Sequence, residues 1–206
     1  MRKTATIALA LLGAVGLLHA PPGRSLMRLL GGRCPARGVS PAAAESLRQR
    51  GVRALRGEQP APERPALGLA LDRARLADAR GWAAARGGSC VERARPSSLL
   101  ICRNLPDYDE VTFAFAPDGR LVSVATLRER LPGLVAGAAF AGIRRQLAER
   151  LGDGALAGDP TASRLTAGPL HVARLQYRFA DYLASVTAMN LPEGVALREQ
   201  YQSARD

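Results

Sequence analysis

The chain is poor in the residues that carry most protein chemistry. Its 206 residues include two histidines, His19 and His171, and three cysteines, Cys34, Cys90 and Cys102. No C-x₂₋₄-C or H-x₃₋₅-H pair is present, which excludes the usual zinc spacings. A C-x-x-C redox motif is missing too. There is no G-x-S-x-G nucleophile elbow, no G-x-x-x-x-G-K-S/T phosphate loop and no G-x-G-x-x-G after a strand. Nothing points to a cofactor or a metal, and the chain reads as a non-enzyme.

Lysine is almost absent: Lys3 stands alone beside 28 arginines. The net charge of +11 raises nucleic acid as a partner, but its distribution argues against one. Residues 1–65 hold 11 basic and 3 acidic residues, whereas residues 66–206 hold 18 and 15. The surplus sits in an N-terminal arm, and a nucleic-acid footprint is a patch on the folded domain.

Residues 1–20 begin with Arg2 and Lys3, followed by an uncharged, mainly apolar run of 15 residues, Thr4 to Leu18. That is the length of a signal-peptide core and short of the roughly 20 residues a spanning helix needs. Ala20 could end the signal, but Leu18 is not the small residue a cleavage site wants and Pro21 follows. Export is the reading, with a cleaved signal and an uncleaved anchor both open. The protein is expected in the periplasm or secreted; the alternative is inner-membrane anchoring by residues 4–18. Arg33 stands before Cys34 where lipid attachment wants Gly or Ala, so lipidation is rejected.

Residues 21–65 read as a tether rich in Pro, Gly and Arg with one short, exposed helix. Ser40 is its N-cap and Pro41 its first residue, while Gly51 weakens it. Prolines 60, 62 and 65 then mark a linker, and an α+β domain is expected over 66–206. A helix over 72–86 is capped by Asp72 and carries an apolar stripe of Leu76, Ala79, Trp82 and Ala83. Trp82 reads as a core anchor. Strands follow at 98–103, 110–116 and 121–127. In "EVTFAFA" Val111, Phe113 and Phe115 alternate with Thr112 and Ala114. "PDGR" makes a hairpin turn with Gly119 at positive φ. Val122 and Val124 are expected inward.

A second helix over 136–151 aligns Ala136, Phe140, Ile143, Leu147 and Leu151, and Gly152 ends it. A loop over 152–170 and strands at 171–179, 182–190 and 195–201 complete the chain. The order of one helix and three strands occurs twice, and "FAFAPDGRLVSV" rhymes with "YRFADYLASV", a weak internal repeat. The expected fold is one antiparallel sheet of about six strands with both helices on one face. The opposite face then carries Thr112, Arg174, Arg178, Arg198 and Gln200. Of these Arg174, Arg178, Arg198 and Gln200 form a candidate interaction surface.

His171 opens a strand on the parity of Leu175 and Tyr177 and reads as structural. A Cys–His nucleophile pair would need Cys90 or Cys102 beside it, and nothing in the sequence places them together. "DYDE" at 107–110 has too few oxygen ligands at set spacing for calcium and reads as a solvated turn. Cys90 and Cys102 lie twelve positions apart. Export puts them in an oxidising compartment, where close thiols pair, so a disulfide tying the first helix to the sheet is preferred over free buried thiols. Cys34 is left over.

The helix-plus-three-strand plan, with "LADARGW", the following "GG" and the "FAFAPDGRLVSV" hairpin, resembles two groups. One is the β-lactamase-inhibitor-type proteins, the other the small lipoprotein of the outer-membrane β-barrel assembly machine. The "RPALG…GW…C…C" layout and the "NLPEGVALREQY" ending also resemble exported proteobacterial proteins. This last resemblance implies an envelope location and no activity, and none of the resemblances implies site residues. The function read from the sequence is a non-catalytic envelope protein that presents its sheet face or edge to an unknown envelope protein. The alternatives are a hydrolase-type enzyme with a scattered site, and a domain binding a small molecule or lipid between sheet and helices.

Overall fold

The computed structural model describes residues 40–93, 98–168 and 170–205. The expectations for residues 1–39, Cys34 among them, lie outside the described residues. The compact unit starts at Ser40. It holds α1 (Pro41–Arg53), α2 (Leu76–Ala84), β1 (Ser89–Arg93), β2 (Ser98–Arg103), β3 (Glu110–Phe115) and β4 (Leu121–Leu131). After these come α3 (Gly133–Leu151), β5 (Ala155–Ala157), α4 (Ala162–Leu165), β6 (Val172–Arg178), β7 (Tyr182–Leu191) and β8 (Gly194–Ser203). All strands join one sheet in the order β1-β2-β3-β4-β8-β7-β6-β5, and every neighbouring pair is antiparallel.

The α+β class and the single antiparallel sheet match the sequence reading, but there are eight strands rather than about six. The two extra strands are β1 and β5. Four of the five β1 residues are exposed and β5 is three exposed residues. Neither carries the apolar alternation that marks a half-buried strand. Each half of the sheet follows a helix and has four strands, with α4 set between β5 and β6.

One sheet face is buried beneath α2 and α3. Phe113 pairs across strands with Leu100 on β2 and Val124 on β4, and Trp82 of α2 meets its ring edge-on at 5.6 Å. Phe113, Phe140, Leu175, Val186 and Leu197 are all fully buried in one cluster. The Trp82 indole N–H donates to the Leu67 carbonyl, so both parts of this amphipathic ring are satisfied. Val122 and Val124, expected inward, are both buried, but of the two Val124 alone joins the core cluster. A register shift at Ala114/Phe115 lets Leu121 join the core as well.

Helix α2 starts at Leu76, not at Asp72. The Asp72 N–H donates to Leu121 O and the Leu121 N–H donates to Ala74 O, which pins this stretch to the start of β4. Asp72 has φ 67°, incompatible with helix. Its carboxylate instead accepts from Arg64. The Asp78 carboxylate takes the Arg75 N–H at the true helix start.

The segment expected as a tether is tied to the sheet from α1 onward. Val52 forms a small buried cluster with Leu183 and Ala204, and Arg48 donates to Ser203 O. Helix α1 is therefore not a freely exposed element, and it lies toward the face opposite α2 and α3. At Gly57 a Cβ would stand 2.1 Å from Arg178 O, so only glycine fits there. Gln59 O accepts from Ala180, and the Ala61 N–H donates to the Asp181 carboxylate.

Burial works against ionisation of Asp181, but the Ala61 N–H, Arg205 and Arg64 outweigh it and hold the carboxyl below its usual range. A depressed folded value contributes stability above the unfolded pKa of about 3.9, and that contribution is lost as pH falls through the folded value. Asp181→Asn keeps an acceptor for Ala61 and removes the charge. Its unfolding midpoint in urea is expected to fall less steeply than wild type below about pH 4. Identical acid limbs would show that Asp181 carries no such linkage.

A disulfide joins Cys90 to Cys102. The two are direct cross-strand partners in β1 and β2, so the staple ties strand to strand rather than helix to sheet. It holds the edge strand that has least apolar burial of its own. For a loop of this size, chain entropy gives about 3 kcal/mol. Replacing both cysteines by serine is expected to lower Tm by roughly 6–12 °C for a chain of this length. An unchanged Tm would remove the staple from the account.

Candidate functional site

Strand alternation sends the partners of the core to the opposite face. On β6, β7 and β8 that face is polar. Arg174 pairs with Thr187, which pairs with Arg198; Gln176 pairs with Ser185, which pairs with Gln200; Arg178 pairs with Leu183, which pairs with Gln202. These rows form the floor of a concavity of about 430 Å³, closed at one end by Leu55 just beyond α1 and bordered by Leu127, Met189 and Ala196. Arg174, Arg178, Arg198 and Gln200, all expected as an interaction surface, line it together. Thr112 faces the same way on β3, outside the concavity. Sequence reading missed Ser185, Thr187 and Gln202. The signal was there: Ser185 and Thr187 are the polar positions alternating with Ala184, Val186 and Ala188.

The charge of this surface is not neutralised internally. Arg174, Arg178 and Arg198 are exposed. Among the described residues none of them pairs with a carboxylate, and Arg178 donates to the Gln176 side-chain oxygen at 3.2 Å. Four exposed arginines elsewhere find acids, Arg80 with Glu92, Arg103 with Glu110, Arg150 with Glu63 and Arg205 with Asp181, whereas among the described residues Arg144 and Arg145 on α3 do not.

The helix-covered face holds a polar cluster that the sequence reading did not anticipate. Glu199 is 4% exposed and sits opposite Thr126 where β8 meets β4. It accepts from Thr126 Oγ1, from Arg128 at 3.0 Å and from the Tyr201 hydroxyl. Arg128 also lies over the Tyr108 ring. Burial, then the Glu199 charge, pushes the Tyr201 and Tyr108 hydroxyls up from their ordinary value. Both stay protonated at neutral pH, which suits Tyr201 as a donor to Glu199. The cluster is an internal network at the junction of the two sheet halves in which the Glu199 carboxylate is fully engaged, while Arg128 Nε is buried without a hydrogen-bond partner. Its trace in the sequence is Glu199 itself, a charge on the core parity of Leu197 and Tyr201.

The other residues singled out lie apart from the concavity. His171 is half-buried just before β6, with Nε2 2.9 Å from the Asp159 carbonyl oxygen. Cys90 and Cys102 are consumed by their bridge, so neither offers a thiol. Asp109 accepts the Glu129 N–H, and Asp107 is exposed. A second concavity of about 290 Å³ lies at the β7–β8 turn, lined by Glu129, Arg130 and residues 191–194. Neither concavity collects His171 with Asp107 or Asp109, and neither is lined by α2 or α3. Among the described residues no group of acidic, histidine or cysteine side chains is placed to hold a metal ion, and no helix is long and apolar enough to cross a membrane.

Comparison with family models, with curated proteins and with solved structures finds no match to this chain.

Proposed function

We propose that the chain is a non-catalytic, exported envelope protein that docks a protein partner on the open face of β6, β7 and β8. The observation that carries this reading is the gathering of Arg174, Arg178, Arg198 and Gln200 over one concave polar floor. Helices α2 and α3 are engaged on the other face and α1 covers only the Leu183 end of this one, so the rest of the surface is free of core duty. The Cys90–Cys102 bridge supports an oxidising compartment, where such bonds persist, and with it a periplasmic or secreted location. Anchoring by residues 4–18 is the alternative within the same reading. A relationship to the β-lactamase-inhibitor-type and assembly-lipoprotein folds, and descent of the two sheet halves from a repeat, are proposals that this reading does not depend on.

The test is position-specific photo-crosslinking in cells that express the full chain. A photoreactive residue at Thr187 or Gln200 is expected to give an adduct of one defined mass. The same residue at Arg145 or Glu149, on α3, is expected to give none. Equal labelling from both faces, or no adduct from the open face, would overturn the proposal.

A further inference from the structure

We infer that the occupant of the open face is an extended, acidic segment of the partner, crossing β6, β7 and β8; this rests on the docking reading above. Three observations lead there. The first is charge: Arg174, Arg178 and Arg198 gather three exposed guanidinium groups over one floor, and none of them holds a carboxylate among the described residues. Guanidinium groups bind carboxylates in a two-pronged fashion that fixes geometry as well as charge.

The second is spacing. Arg174 and Arg198 are both cross-strand partners of Thr187. They are therefore two strand spacings apart, about 10 Å. Residues three apart in a segment of polyproline-II form lie on one side of it, one turn and about 9 Å apart, so carboxylates at i and i+3 meet both arginines. Arg178 lies four residues along β6 from Arg174, about 13 Å away, and reaches the flank of such a segment.

The third is the floor. Gln176, Ser185, Thr187, Gln200 and Gln202 line the surface between the arginines. Amide and hydroxyl side chains both donate and accept, which matches the alternating N–H and C=O of a peptide. With the Gln176 oxygen taken by Arg178, its NH₂ is left to donate. Other occupants fit less well. Residues 1–39 of this chain carry six basic and no acidic residues, so the arm is repelled. A second copy of the same face would set arginine against arginine in a two-fold contact. Nucleic-acid strands use exposed rings for stacking; Tyr177, the one aromatic residue at the concavity, is buried on the core parity.

The experiment is fluorescence anisotropy of the full chain with a blocked, labelled ten-residue peptide carrying glutamates three apart. The matched glutamine peptide and inorganic phosphate serve as comparisons. The glutamate peptide is expected to bind at least tenfold more tightly than the glutamine peptide, and to weaken as salt rises. Arg174→Gln and Arg198→Gln are expected to lose about tenfold each and the double variant about a hundredfold. Arg145→Gln on α3 is expected to bind as wild type. All four variants exchange exposed side chains, and unchanged melting curves confirm that folding is not the cause.

Equal binding of the two peptides, full binding by the double variant, or no binding of the glutamate peptide would overturn the inference. Displacement of the peptide by phosphate at comparable affinity would also overturn it, in favour of a small-anion site. An adduct through Thr187 with no affinity for the glutamate peptide would sink the acidic segment and leave the docking face standing. Absence of both would sink the two together.

Discussion

Arg128→Met is expected to destabilise the domain by about 3–5 kcal/mol, because it strands a buried carboxylate. Glu199 is nearly inaccessible, and among the described residues Arg128 is its one cationic partner. After the substitution Thr126 and Tyr201 still donate to Glu199, but no positive charge offsets it. Taking a carboxylate out of water is tolerable only with a partner and full hydrogen bonding. The effect therefore comes from the charge left behind rather than from any large net worth of the pair. Adding Glu199→Gln to Arg128→Met is expected to recover a substantial part of the loss, since a neutral amide is less costly to bury. Urea midpoints of wild type, single and double variants check this. Equal stability of the single and double variants would show that the uncompensated charge is not the cause.

Phe113→Ala is expected to cost about 3–5 kcal/mol through lost burial and the cavity left behind. The ring is fully buried and lies between Leu100 and Val124 on the neighbouring strands. It also gives up the edge-on contact with Trp82, worth about 0.5–1.5 kcal/mol beyond area in comparable pairs. Helix α2 is short and buries only alanines fully, Ala79 and Ala83, so its docking leans on the Trp82–Phe113 contact. Phe113→Leu fills more of the space and is expected to lose much less. Denaturant titration followed by Trp82 fluorescence reads both the loss of stability and any change in the indole environment. A loss below about 1 kcal/mol for the alanine variant would mean that the site collapses around the gap.

These two positions also show where the fold was legible. Phe113 stands in "EVTFAFA", where strict alternation assigns strand and inward face together. Helix α3 was readable in the same way from Ala136 to Leu151. Glu199 was not, because its neighbours Arg198 and Gln200 are polar too and hide the parity of a buried charge. Strand β1 escaped because an edge strand held by a disulfide needs little apolar alternation. Asp72 misled because a capping side chain looks the same in sequence whether it starts a helix or serves a tertiary bond. At the candidate site, Arg174, Arg178, Arg198 and Gln200 came from parity alone. That they share one concavity depended on the pairing of β6, β7 and β8, and on α1 folding back toward their face. Long-range register of that kind has no local signature in the chain.

One face of the sheet builds the core, and the proposal gives the other to a partner. The most direct measurement is the yield of the Thr187 crosslink when Arg174→Glu and Arg198→Glu are introduced together. The account predicts loss of the adduct with Tm within about 2 °C of wild type, because both side chains are exposed and away from the core. An adduct formed at wild-type yield despite the reversed charges would contradict it.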